Sequence, residues 1–303
     1  MRGLELLGFL VCAEIPMRLI GLMLVRNEEW VIRASLLKAL QWCDHVYVLL
    51  HACTDWTLPY IKEIEMKEGQ ITYEEVPDSG KWDEMDLRQR TLERGRELGG
   101  THFAMIDADE ILTANITMPV RRWVENLRPG EVLDLPMACP HRGLDEYRHD
   151  QSVWCNRNDF SVAFADSPDL SWKPRDHGYQ HHARCPNGVN IRIRPLSSLS
   201  HGGVFHLQWA DFNRLQWKHR HYKMMELIRW PDREGVAEID RKYSQALDER
   251  GLGTAPIPAE WWDRAIKDKI KLGVEPWYKA ECDKLLAKHG TEYFKGLNLW
   301  GYP

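Results

Sequence analysis

The sequence predicts a doubly wound α/β domain followed by a helical C-terminal part. Short apolar runs alternate with helically spaced segments through the first third of the 303 residues, polar residues stand directly after each run, and past about residue 206 the pattern turns helical.

The run LIGLMLV from Leu19 to Val25 is too short for a typical helix and suits a strand buried on both faces. Glu29 to Trp42 then spaces Trp30, Ile32, Leu36, Leu37 and Leu40 helically, and Asp44 to Leu50 reads as a second buried strand, completing a β-α-β unit. A helical segment reaches about Lys67, Ile71 to Val76 is a third strand, and Pro77 to Gly80 turn the chain. Trp82 to Leu98 reads as a helix stopped by Gly99-Gly100, and His102 to Ile106 is a fourth strand. Val132 to Met137 reads as another strand, whereas Cys139 to Ser200, rich in His, Arg, Asp, Trp and Pro, reads as long loops with short strands over a site. Helices are expected over Ala210 to Arg229, Ala237 to Glu249 and Ala259 to Lys271.

A chain that is 44% hydrophobic and 28% charged is globular, and its net charge of −5 gives it no global basic field for nucleic acid. Seven scattered cysteines without a C-x-x-C pair point to reduced thiols and a cytoplasmic protein rather than a disulfide framework or a zinc ribbon. No apolar run approaches the roughly 20 residues that span a bilayer. Met17 stands immediately before the first strand, so residues 1 to 16 read as an extension the fold does not need, and Glu5 and Glu14 argue against the stretch from Leu4 to Ala13 as a signal peptide.

In open α/β sheets ligands bind at the carboxyl ends of the strands, so the residues to inspect are Arg26-Asn27-Glu28, His51 to Asp55, Pro77 to Gly80 and Asp107 to Glu110. The last set is the most informative: a strand ending in IDADE crowds carboxylates whose repulsion calls for a cation. Hard oxygen ligands suit Mg²⁺ or Mn²⁺, which complete their shells with phosphate oxygens and water.

Across about residues 17 to 112 the chain resembles a family 2-type glycosyltransferase with the nucleotide-sugar-binding GT-A fold. The resemblance rests on Arg26-Asn27-Glu28-Glu29 after the first strand, Cys53-Thr54-Asp55-Trp56-Thr57 in place of an S-T-D-x-T turn, Trp82 with Arg88-Gln89-Arg90, and Ile106-Asp107-Ala108-Asp109-Glu110 as the D-x-D. Leu50, Ala52 and Cys53 depart from the common Asp, Gly and Ser. The resemblance implies a mixed GT-A sheet flanked by helices over 17 to 205 and a helical region over 206 to 303 that covers the acceptor pocket. It also implies Asn27, Glu28 and Asp55 on the nucleoside, Asp107 and Asp109 on a metal that bridges the diphosphate, and an inverting transfer with a UDP-sugar as the default donor.

Departing phosphates need positive charge. Arg26, Arg88 and Arg90 are the candidates in the first half, with at most one of the last two reaching, since they lie on different helix faces. In HGGVFHLQW, His201 to Trp209, the glycines permit close backbone approach, and GT-A enzymes often supply a late His as metal ligand, a role that falls to His206 with His201 second. Arg214, Lys218 and His221 then form a basic stripe, of which Arg214 and Lys218 are expected on the diphosphate. An inverting transferase also needs a base for the acceptor hydroxyl, and Asp159 and Asp176 are the carboxylates in the right region. A zinc site has only the His177/His181 spacing in its favour. Fourteen tryptophans suit stacking on sugars or bases, Trp209 and Trp217 foremost.

The acceptor is expected to be a glycan or another hydroxyl. The basic, aromatic stretch from Phe205 to Trp230 leaves modified DNA bases, as in phage enzymes acting on hydroxymethylated pyrimidines, as an alternative. A non-catalytic glycan-binding protein or a nucleotidyltransferase are the readings of other classes, the latter opposed by the lack of a Gly-rich, Lys-containing phosphate loop.

Overall fold

The computed structural model describes residues 16–78, 83–150, 159–173, 184–233 and 235–302. Trp82, Asp176, His177, His181 and residues 1–15 of the expected extension lie outside the described residues.

The predicted alternation is observed: β1 (Leu19–Val25), α1 (Ile32–Ala39), β2 (His45–His51), α2 (Thr57–Glu68), β3 (Ile71–Val76), α3 (Glu84–Glu97) and β4 (His102–Asp107) follow in order. β1 lies parallel between β2 and β4, and β2 pairs with β3, so the apolar runs bury both faces as continuous hydrophobic strands should. The remaining elements are β5 (Glu110–Leu112), α4 (Thr117–Glu125), β6 (Glu131–Leu135), β7 (Met137–Pro140), β8 (Glu146–Arg148), β9 (Phe160–Ala165), β10 (Ile191–Ile193), β11 (Val204–His206), α5 (Phe212–Arg229), α6 (Val236–Ser244), β12 (Thr254–Pro256), α7 (Arg264–Lys267) and α8 (Trp277–His289).

The main sheet has the order β10-β6-β9-β4-β1-β2-β3 and is mixed rather than wholly parallel, because β9 runs antiparallel to both β4 and β6. A second sheet, β12-β8-β7-β11-β5, stands beside it. The single strand expected over Val132 to Met137 is two, broken at Pro136, which has no N–H to give a ladder; its carbonyl instead accepts Val204 N at 2.9 Å. The helix expected over Ala259 to Lys271 shrinks to α7, because Trp261 and Trp262 turn into a cluster around Phe205, whose ring lies 4.3 Å from that of Trp262. The C-terminal region is also less uniformly helical than expected, since β12 returns a strand to β8. The boundary expected between residues 205 and 206 falls inside β11.

Apolar layers cover both faces of the main sheet, and α5, α6 and α8 enclose a separate core around Met224, Tyr243 and Cys282. Between α1 and the sheet lies a small cavity lined by Lys38, Trp42, Glu110 and Arg184. Burial lowers the Lys38 pKa to about 8 against the opposing field of Asp263. From pH 8 to 10.5 the unfolded chain holds a proton there that the folded chain does not, so stability rises with pH across that window. Lys38→Met is expected to add about 1–2 kcal/mol at pH 7 and to flatten this rise, as read by urea denaturation at pH 7 and 10.

Candidate active site

The polar ends of β1 and β2 are locked to each other. Asn27 has φ 54° and Ala52 φ 50°, so the Ala stands in the left-handed conformation that a Gly adopts more cheaply. Thr54 N donates to Asn27 Oδ1 at 2.7 Å, Asn27 N to Cys53 Sγ at 3.4 Å, and Glu28 N to Thr57 Oγ1 at 2.7 Å. Both Asp55 oxygens are engaged, with Glu29 N at 3.1 Å and Thr57 N at 2.9 Å. The side chains of Asn27 and Asp55 therefore build the wall of the site. Arg26 reaches His51 Nδ1 at 3.3 Å and Asp78 at 3.2 Å, and its guanidinium lies 4.9 Å from the Trp277 ring centroid.

At the end of β4, Asp107 is held between two arginines, Arg88 at 3.1 Å and Arg184 at 3.2 Å. Arg88 is the one of the α3 pair that reaches the site; Arg90 turns to Glu74 instead. Arg184 was not foreseen: it donates to Glu110 at 2.7 Å and to the carbonyl of Met105, and lies 4.1 Å from the Phe160 ring centroid. The only sequence signal for it is the crowding of carboxylates in IDADE, part of which the chain neutralises with its own guanidinium.

Asp109 faces the opposite way, toward the C-terminal region. Pairing of β11 with β5 sets His206 opposite Glu110 and brings His206 Nε2 to 3.6 Å from Asp109 Oδ2, while Lys218 Nζ on α5 lies 3.6 Å from the same oxygen. Burial works to raise the Asp109 pKa, but Lys218 and His206 outweigh it and hold the carboxylate far below its usual range. His201, the second choice, is exposed beside Ser198 and Ser200 and takes no part.

The strand carrying His206 depends on the two glycines before it. A Cβ on Gly203 would stand 2.1 Å from the Pro136 carbonyl oxygen, and Gly203 N donates to Thr113 Oγ1 at 3.0 Å. Gly203→Ala is expected to cost about 1–3 kcal/mol, read as a lowered melting temperature.

These groups fit a divalent cation as a pair rather than a cage. Among the described residues no cluster of three or more His, Cys, Asp and Glu is placed to hold a metal. Two ligands each about 2.1 Å from one ion can stand as far apart as Asp109 and His206 do, with phosphate and water taking the other positions. Asp107, expected as a second ligand, has its carboxylate committed to Arg88 and Arg184.

The stripe on α5 points inward. Asp211 caps the helix by accepting Arg214 N at 3.0 Å, and the Arg214 guanidinium meets Asn27 O at 3.0 Å and Glu28 Oε2 at 3.1 Å. Burial raises the Glu28 pKa, with Arg214 opposing. Glu28, Asp109, Gln208, Lys218, Trp30 and Tyr278 line a narrow cleft. His221 packs against Trp277 and Tyr278, and burial drives its pKa down to about 3, so it stays neutral. Trp209 is fully buried and donates to Ala246 O, which removes it as an acceptor surface, while Trp217 is half-buried and packs on Tyr302. Asp159 directly precedes β9, which runs antiparallel to β4, so it lies at the end of the sheet that carries Asp107. Gln208, Trp30 and Tyr278 were not foreseen, since they come from three distant segments.

No protein-family model and no curated protein matches the sequence. Among solved structures the chain is similar to S. aureus TarS 1-349 in complex with UDP, at 12% identity and a TM-score of 0.43 over 77% of this chain and 72% of that one. It is similar to the mannosyltransferase PcManGT from Pyrobaculum calidifontis in complex with GDP-Man and Mn²⁺, at 11% identity and a TM-score of 0.41 over 91% and 75%. These likenesses are loose, and no activity follows from them for this chain.

Proposed function

We propose that the chain is a metal-dependent glycosyltransferase that moves a sugar from a nucleoside diphosphate, UDP by default, to a hydroxyl of a glycan or similar acceptor. The observation that supports this best is the convergence of Asp109, His206 and Lys218 at the carboxyl end of β4, beside an enclosed polar cleft. Bound Mn²⁺ or Mg²⁺ would neutralise the charge that develops on the departing diphosphate. Asp109 and His206 are the residues to hold it, and Lys218 adds fixed positive charge. Arg88 and Arg184 fix Asp107, which stiffens the strand end from which Asp109 projects.

The transfer is a single displacement with inversion. The acceptor oxygen bonds to the anomeric carbon as the bond to the distal phosphate breaks, the nucleoside diphosphate leaves, and the hydroxyl proton passes to a carboxylate. Asp159 is the described candidate for that base by its place beside β4; Asp176 is the other. The part from 17 to 205 supplies the donor side, and the part from 206 to 303 closes it through Lys218 and Tyr278.

A DNA acceptor loses its motive, because Arg214 and Trp209 in the stretch that suggested it are buried and Lys218 faces the cleft. No described helix is long and apolar enough to cross a membrane. The test is incubation with UDP-glucose, UDP-N-acetylglucosamine and GDP-mannose in Mn²⁺, following release of UDP or GDP. Slow release from one donor, abolished by EDTA, is expected; no release from any donor contradicts the reading.

A further inference from the structure

Asp134, next to the last residue of β6, is fully buried, where a carboxylate is costly unless it is paired. Ser161 Oγ donates to its Oδ1 at 2.7 Å, and Arg192 Nη1 stands 3.0 Å from Oδ1 and 3.1 Å from Oδ2. That single guanidinium already balances the charge. Arg194 nevertheless brings a second, its Nε donating to Oδ2 at 3.3 Å, so two cations meet one carboxylate and leave a net charge of +1. Both arginines are about half-exposed, and no other described carboxylate is ion-paired with either. Neither terminal nitrogen of Arg194 is bonded to a described residue. Side chains two apart on a strand share a face, and Pro195 disfavours a helical turn at Arg194, so the two guanidiniums stay side by side. Paired guanidinium N–H groups match the oxygens of a phosphate or a carboxylate.

β9 runs antiparallel to β4 and β6, and β10 runs parallel to β6, so β6 and β10 end at the same edge of the sheet as β4. Along that edge come Asp109 after β4, Asp159 before β9, and then Asp134 with its arginines on β6 and β10. At about 4.8 Å per strand, β10 stands about 14 Å from β4, on the side away from the β1 and β2 ends expected to hold the nucleoside. We propose that Arg192 and Arg194 form an anion subsite for the acceptor, which is a glycan carrying a phosphate or carboxylate away from the hydroxyl that receives the sugar. Asp134 is a positioning residue: its carboxylate fixes both guanidiniums before a ligand arrives, so little side-chain freedom is lost on binding. The assignment to an acceptor rests on the transferase reading, whereas the anion binding does not.

The experiment is ligand-observed NMR titration in EDTA, without nucleotide, using glucose 6-phosphate, glucuronate, glucose, inorganic phosphate and a DNA duplex as probes. It is run on the native chain, Arg194→Gln, Arg194→Lys and Arg250→Gln. Arg194→Gln leaves Arg192 to neutralise Asp134, and Arg194→Lys keeps the charge without the fork, so it decides the matter if the first variant unfolds. Arg250 is exposed and pairs with Asp248 instead, so Arg250→Gln makes the same change in net charge elsewhere. One of the two anionic sugars is expected to bind the native chain at least tenfold more tightly than glucose, and which one names the anion. Its Kd is expected to rise about tenfold in Arg194→Gln, about threefold in Arg194→Lys and less than twofold in Arg250→Gln, with UDP binding in Mn²⁺ within twofold throughout. No preference over glucose, an equal loss in Arg250→Gln, or weaker UDP binding in Arg194→Gln overturns the proposal and leaves the transferase reading intact. Inorganic phosphate bound as tightly as the sugar, or DNA bound more tightly through Arg194, overturns it as well. If neither UDP nor GDP binds in Mn²⁺, the transferase reading fails and the assignment to an acceptor with it.

Discussion

Asp109→Asn is expected to lower sugar transfer by about 10³-fold or more while leaving the fold in place. The substitution keeps side-chain size and removes one charge at the point where Lys218 and His206 converge, each 3.6 Å from Oδ2. Because these two hold the carboxylate ionised at any working pH, the native site always presents a negative ligand there, and a neutral amide is a far poorer donor to a hard cation. The loss should appear together with loss of the Mn²⁺ effect on nucleotide binding. In stability the sign runs the other way from a simple desolvation argument. A carboxylate whose folded pKa is depressed stabilises the protein above its unfolded value and loses that contribution as the pH falls. The variant should therefore melt slightly lower at pH 7 and converge with the native chain in acid. Activity within tenfold of native would remove Asp109 from the chemistry.

Arg184→Ala is expected to be the most destabilising single change at the site, at about 3–5 kcal/mol. Glu110 is 4% exposed and depends on this guanidinium, as does one oxygen of Asp107. Truncation leaves a buried charge without its partner and also strips the carbonyls of Met105 and Ser161 of their donor. Glu110→Gln in the same background should restore part of the loss, because the buried charge goes with the cation. A urea-denaturation double-mutant cycle over the two positions measures this coupling. A single-mutant cost below about 1 kcal/mol, or strictly additive losses, would show that Arg184 is not the structural counter-ion of the strand end.

The parallel half of the sheet was legible because LIGLMLV, HVYVLLH and HFAMID are apolar runs that only a two-sided burial explains. β9, FSVAFA, was as apolar yet went unread: it is six residues long, with Asp159 before it and Asp166 after it, inside a stretch without periodicity. α4 has an apolar stripe in Val120 and Val124, but Pro119 and two arginines within nine residues mask it, and α8 scatters its charges among Ala280, Cys282, Leu285 and Leu286 after the opening Trp277-Tyr278 pair, so it shows no clear apolar face. At the site, the residues found were those whose chemistry is local. Asp107 and Asp109 declare themselves by crowding at a strand end, and His206 by the glycines that let its strand approach. Arg184 and Gln208 act through partners 74 and 10 positions away, Glu110 and Lys218, and no spacing rule connects them. Asn27 and Asp55, expected on the nucleoside, use their polar atoms to hold the loops of β1 and β2 together.

Asp109 and His206 are expected to form, with a diphosphate, one metal-dependent site. Calorimetric titration of UDP and GDP into the native chain and into Asp109→Asn, each with Mn²⁺ and with EDTA, measures that directly. One nucleotide binding the native chain in Mn²⁺, at least tenfold weaker in EDTA and equally weak in the variant under both conditions, is the predicted result. Binding that ignores the metal, or that survives Asp109→Asn unchanged, would contradict it.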